Sequence, residues 1–193
     1  SSGKMGFALA QAARAAGARV TLVSGPVALD TPVGVERIDV ESAQQMFEAV
    51  QRQLPGTDIF IACAAVADYR ATAASEEKIK KTAGKLDLEL ERTPDILSWV
   101  STQAEPRPAL VVGFAAETGR LEEQARAKLQ SKRLDLIAAN EVGADKVFGS
   151  DDNELLVLWP GGSHLIARAS KQNVARELID LIASHYRNKT AHA

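Results

Sequence analysis

Two groups of lysines stand out as residues able to do chemistry. Lys78, Lys80 and Lys81 crowd into the run EKIKK at 77–81. Cations this dense on a polar stretch suit a polyphosphate that must be covered and neutralised. A solvated charged turn has the same composition. Lys128 and Lys132 are four residues apart in a helical pattern, which puts both ammonium groups on one face. Glu122 and Glu123 are close enough to pair with Arg126 or Lys128, so an ordinary solvated face is the competing reading.

Several segments of small residues follow apolar runs. In open α/β sheets, ligands bind beyond the carboxyl ends of the strands. SSGKMG (1–6) precedes a helix; its small residues let backbone N–H groups approach a phosphate, and a Ser/Gly helix cap is the plain alternative. ACAAVADY (62–69) allows close backbone approach and offers Asp68 as an acceptor. Cys63 reads as a small core residue at a strand end rather than a nucleophile. In VGFAAET (112–118), Gly113 permits tight approach, Phe114 offers a stacking face, and Thr118 is a natural N-cap for the next helix. AANEVG (138–143) supplies Asn140. FGSDDNE (148–154) reads as an Asx-rich turn, with metal ligation by its Asp pair as the sharper alternative. The histidines, His164, His185 and His192, come late and form no Ser/His/Asp set. The Walker pattern is absent, and so is G-x-G-x-x-G, the latter counting against a nicotinamide-dependent oxidoreductase.

These segments need a scaffold. Helical patterns at 7–16 (ended by Gly17), 41–54, 118–133 and 171–186 alternate with apolar strands at 18–23, 58–63, 109–113 and 134–138. Residues 86–91 (LDLELE) alternate like a half-exposed strand, and Pro94 marks a further helix start. ELLVLW, PGG and HLIARA at 154–169 read as an antiparallel hairpin. The expected fold is α/β: a Rossmann-like, doubly wound, mostly parallel sheet with a C-terminal hairpin extension. The polar stretch 69–85 reads as a long lid-like loop, and the tail 188–193 as disordered.

The chain has 193 residues, 46% hydrophobic and 25% charged, which is ordinary for one globular domain. Its net charge of −2 gives no bulk attraction to nucleic acid or anionic membrane. A single cysteine excludes an internal disulfide framework. No apolar run reaches the roughly 20 residues that span a bilayer. Ser1 to Gly6 lacks the order of a signal peptide. A cytoplasmic location, without nucleic-acid or membrane partners, is the expectation.

In their order along the chain, SSGKMG, AAVADYR, EKIKK, TPDIL, VGFAAET, the helical K-x-x-x-K and DLIAAN resemble the phosphopantothenoylcysteine synthetase domain of bacterial coenzyme A biosynthesis. The resemblance covers nearly the whole chain and would make 1–187 that domain. It implies a ligase that joins 4′-phosphopantothenate to L-cysteine with CTP through an acyl-cytidylate. Mg2+ is the implied metal, with no ligands assigned, and CTP is a co-substrate. FMN is not expected in this chain. A homodimer is implied, as is a decarboxylase half fused or associated in the full-length protein.

The resemblance puts Lys78 at the reacting phosphates, with Lys80 and Lys81 beside it. Ala62, Cys63, Ala64, Asp68, Pro94, Asp95, Ile96, Leu97, Phe114, Lys128 and Lys132 fall at nucleotide-binding positions. Ser1, Ser2, Gly3 and Ala65 fall at phosphate or acyl-substrate positions. The family normally places a strand, a Gly/Thr-rich loop and an Asn-containing stretch before SSGKMG, and the expectation is that this first strand is missing here. A non-catalytic nucleotide-binding or scaffolding subunit is the alternative function.

Overall fold

The computed structural model describes residues 2–72, 87–141 and 152–191. The first helix, α1 (Lys4–Ala15), starts after Gly3, whose φ of 75° is left-handed. It closes with a Schellman motif. Ala16 is the C-cap, Gly17 takes φ 92°, and the N–H groups of Gly17 and Ala18 donate to the carbonyls of Arg14 and Ala13. Strands β1 (Thr21–Ser24) and β2 (Glu36–Asp39) then pair in parallel as a two-stranded sheet. Helix α2 (Ala43–Gln53) follows. It opens with a capping box in which Ser42 and Gln45 satisfy each other's backbone N–H.

The central sheet has five strands in the order β3 (Ile59–Ala62), β6 (Leu110–Glu117), β7 (Leu136–Glu141), β8 (Asp152–Trp159) and β9 (Gly162–Ser170). β3, β6 and β7 run parallel, and β8 and β9 add the antiparallel hairpin expected at one edge. The doubly wound α/β expectation therefore holds. Between β3 and β6 lie β4 (Tyr69–Ala71) and β5 (Leu90–Arg92), an exposed antiparallel ladder, then α3 (Ile96–Thr102). Helix α4 (Leu121–Ser131) joins β6 to β7, and α5 (Lys171–Thr190) ends the fold.

Alternation along β6 divides the core. Leu110 and Val112 face one side with Leu136, Ala138, Leu155 and Val157. That side is covered by Ala8 and Leu9 of α1 and by Val174, Leu178 and Ile182 of α5. Val111 and Ala115 face the other, with Ile137, Ala139 and Leu158, under Val50 of α2, Val100 of α3 and Leu129 of α4. The period-2 switch in β6 makes both layers possible from one strand.

Four expectations are corrected. β6 continues to Glu117, because Ala115, Ala116 and Glu117 pair with Ala139, Asn140 and Glu141; Thr118 therefore caps nothing, and Arg120 is the N-cap of α4. Among the described residues of the alternating run at 86–91, only Leu90 and Glu91 are strand, in a β5 that continues to Arg92 with no face buried. The helix expected to end near 186 runs to Thr190, well into the presumed tail, because Lys189 Nζ is held 2.6 Å from Asp135 Oδ1. Gly113 is close-packed by core side chains rather than open to a ligand: a Cβ there would lie 2.7 Å from Leu134 Cδ1 and 3.0 Å from Leu97 Cδ2. Gly113→Ala should therefore cost about 1 kcal/mol, overpacking outweighing the smaller entropy gain in the unfolded chain. An unchanged urea midpoint would contradict this.

Candidate functional site

The site forms at the carboxyl edge of β3 and β6. After Ala62, the chain leaves β3 through Cys63, Ala64 and Ala65 to Asp68. Ala64, Ala65 and Asp68 are exposed. Thr93 lies across from this loop, its N–H donating to the Asp68 carbonyl at 3.0 Å and its Oγ1 to the Ala67 carbonyl at 2.5 Å. Segments far apart in sequence are thus joined, and Pro94 and Asp95 stand beside the small-residue loop. The Arg70–Glu91 ion pair, at 2.7 Å, continues the join into β4 and β5.

Asp95 caps α3, its Oδ1 accepting from the Ser98 N–H at 3.0 Å and its Oδ2 from the Ser98 hydroxyl at 2.9 Å. Lys132, the C-cap of α4, donates to both carboxylate oxygens, at 3.1 and 2.8 Å. Burial alone would raise the Asp95 pKa, but the hydrogen bonds from Lys132 and Ser98, with the Lys132 charge, outweigh it and hold the carboxyl below its usual value. A depressed folded-state pKa stabilises above the unfolded value, about 3.9 for Asp, and that stabilisation is lost as pH falls through the folded value. Asp95→Asn should therefore flatten part of the acid limb of the stability curve. A limb unchanged in urea titrations from pH 5 to 2 would refute that.

One turn earlier on α4, Lys128 Nζ lies 2.5 Å from Glu117 Oε1 at the end of β6. Side chains on a helix lean toward its N-terminus, which lets both lysines reach back over the site. The i, i+4 spacing puts both lysines on one face of α4, with each ammonium set against a carboxylate.

Other sequence candidates sit differently. Ile96 is buried, Pro94 and Leu97 are half-buried with Leu97 packed toward Gly113, and Asp95 alone of that segment is exposed. Phe114 packs half-buried on the α1/α5 face, opposite the layer that α3 and α4 cover, and is not brought alongside the lysines. Cys63 packs against the same face, and burial pushes its thiol up to about 12, which keeps it protonated at neutral pH and fits a core role. Ser2 and Gly3 stand at the start of α1. Ser1, Lys78, Lys80 and Lys81 lie outside the described residues, as does most of FGSDDNE.

Two supporting residues, Glu117 and Arg37, escaped the sequence reading, as did the lysine partner of Asp95. Glu117 and Asp95 pair with lysines 11 and 37 positions away, and such separations leave no local pattern. Arg37 of β2 donates to the Leu29 carbonyl at 2.6 Å and to Asp39 at 2.7 Å, and lies 5.2 Å from the Phe7 ring centroid. It thereby ties the loop after β1 to α1. Val27 of that loop would meet a Cβ on Gly3 at 3.0 Å, so the start of α1 is seated against it.

Among the described residues, no group of three or more His, Cys, Asp or Glu could hold a metal ion, and no helix is long and apolar enough to cross a membrane. Mg2+ bound with a nucleotide takes most of its ligands from phosphate and water, so it needs no such cage.

Fold and site together define a doubly wound α/β domain with paired lysines and carboxylates at the carboxyl edge of its parallel strands. The chain belongs to the DNA/pantothenate metabolism flavoprotein C-terminal domain family, whose model matches residues 1–186. It is 50% identical over 185 residues to the coenzyme A biosynthesis bifunctional protein CoaBC of Vibrio vulnificus (strain YJ016), covering 94% of this chain and 46% of that protein. The protein of the same name from Escherichia coli (strain K12) is 47% identical over 193 residues, covering 98% and 47%. The chain thus spans about half the length of the curated relatives it matches. Among solved structures, the crystal structure of the C-terminal domain of CoaBC matches with a TM-score of 0.80 at 38% identity, covering 97% of this chain and 85% of that one.

Proposed function

We propose that this domain is a CTP-dependent phosphopantothenate–cysteine ligase acting in coenzyme A biosynthesis. The observation that carries the reading is the pair Lys128 and Lys132, one helical turn apart, beside a strand edge of small residues and the Asp95 cap. It is supported by relatives named for coenzyme A biosynthesis. In the reaction, the carboxylate of 4′-phosphopantothenate attacks the α-phosphorus of CTP, and pyrophosphate leaves. The amine of L-cysteine then attacks the acyl carbon, loses a proton, and displaces CMP to leave an amide.

The first step brings a carboxylate against a polyanion, so fixed cations lower its barrier. Lys128 and Lys132 screen the nucleotide phosphates, and Lys78, by family resemblance, meets the reacting phosphates. Exposed Ala64 and Ala65 let substrate lie against backbone. The Cys63 thiol takes no part; the cysteine consumed is the free amino acid. Mg2+ bound to the triphosphate would offset part of its charge, with Lys128 and Lys132 supplying the protein's own cations. The family resemblance adds a homodimer and a decarboxylase half, fused or associated, in the full-length protein, and the composition of the sequence suits a cytoplasmic setting.

The test is pyrophosphate release with Mg2+, CTP and 4′-phosphopantothenate, with and without L-cysteine. Release that depends on phosphopantothenate, with amide formed only when cysteine is present, is the expected result. Silence that persists after the segment preceding Ser1 in full-length relatives is restored would refute the ligase reading.

A further inference from the structure

We propose that Glu117 is a positioning residue that holds Lys128 ready for the nucleotide phosphates; this rests on the nucleotide reading above. Glu117 is the last residue of β6, fixed in register opposite Glu141 of β7. Its side chain is 12% exposed, whereas that of Lys128 is 46% exposed, and the two meet at 2.5 Å. The buried partner is therefore the carboxylate, anchored on a strand, and the ammonium is the head that reaches solvent.

An ammonium has three donors. One meets Glu117, which leaves donors for an incoming phosphate, so Lys128 can bridge carboxylate and ligand without letting go. Lys132 is held differently, spending two contacts on Asp95. An untethered lysine loses rotamer freedom only when ligand arrives, and that loss weakens binding. Lys128 has already been ordered by Glu117. Were Glu117 merely a rival anion for Lys128, removing it would tighten nucleotide binding. Its burial on a fixed strand argues for the opposite sign.

The experiment is a double-mutant cycle on the full chain: Glu117→Ala, Lys128→Ala and both together, with CTP binding measured by calorimetry in Mg2+. Glu117→Ala should weaken CTP about five- to tenfold, the scale of one ordered side chain. Glu117→Gln, which keeps an acceptor for the ammonium, should lose less. With Lys128 already replaced, Glu117→Ala should cause no further loss. Losses that multiply independently, or tighter binding by Glu117→Ala, would overturn the proposal. Circular dichroism checks folding; if Glu117→Ala does not fold, the Gln variant carries the same cycle with a smaller expected loss. A wild-type chain that binds no CTP sinks the nucleotide reading and this proposal together, whereas binding with a multiplicative cycle sinks the positioning role alone.

Discussion

Asp135→Ala is expected to lower the stability of the domain by about 3 kcal/mol. Asp135 sits just before β7 with its side chain 17% exposed. Its Oδ2 accepts from Arg107 Nη2 at 2.7 Å and from the backbone N–H of fully buried Val111 at 2.8 Å. Its Oδ1 accepts from Lys189 Nζ at 2.6 Å. One carboxylate thus joins the loop before β6, the first turn of β6 and the last turn of α5. Truncation leaves a buried N–H without its acceptor, which alone costs about 1–3 kcal/mol. The two ion pairs are half-exposed and add less, about 1 kcal/mol together after solvent screening. Asp135→Asn keeps an acceptor and should lose about half as much. Urea unfolding measures both, and a loss below 1 kcal/mol for the Ala variant would show that the neighbouring groups find other partners.

The second large effect concerns ligand rather than fold. Lys128→Gln combined with Lys132→Gln should weaken CTP binding by about 2–3 kcal/mol, roughly thirty- to 150-fold, at the scale of charge-assisted contacts to phosphate. The same variant should bind cytidine, which has no phosphate, nearly as the wild type does. Its CTP affinity should also depend less steeply on salt, because screening acts on the charges that were removed. Equal losses for CTP and cytidine would mean that the lysines shape the site rather than neutralise phosphate. Loss of the Lys132–Asp95 pair also loosens the α3 cap, so the comparison is made below the unfolding transition.

The parts of the fold legible in sequence were those with a local cause. Gly17 after an Ala-rich run announced the end of α1, and the apolar runs at 58–63 and 109–113 became β3 and β6 because both faces of the central sheet are covered. ELLVLW-PGG-HLIARA became the β8–β9 hairpin through its turn. β2 was missed because ERID has no apolar alternation; Arg37 holds it through contacts to Leu29 and Asp39 and a ring contact to Phe7. β4 was unreadable because nothing buries it, while β5 was read only as part of the longer run 86–91; their ladder depends on pairing Tyr69–Ala71 with Leu90–Arg92. In the site, the lysine spacing was visible, and Asp95 was named through the resemblance, but the pairing of the lysines with carboxylates was not, since these come from a strand end and a helix cap remote in sequence. Gly113 was read correctly as a place of close approach, but the approaching groups are Leu97 and Leu134.

The placement of α5 also bears on the order in which the chain emerges during synthesis. The face carrying Leu110, Val112, Leu136 and Ala138 is closed by Val174, Leu178 and Ile182, supplied from near the C-terminal end of the sequence. The opposite layer draws on α2, α3 and α4, all made earlier. On the ribosome, that layer can assemble while the first face, with α1 already made, still lacks the α5 part of its cover. At about 5–20 residues per second, the 20 residues of α5 take roughly 1–4 seconds to add, and until then the α5 side of that face stays open. A nascent chain arrested before Lys171 presents that face to its surroundings, and it is there that a chaperone has something to hold.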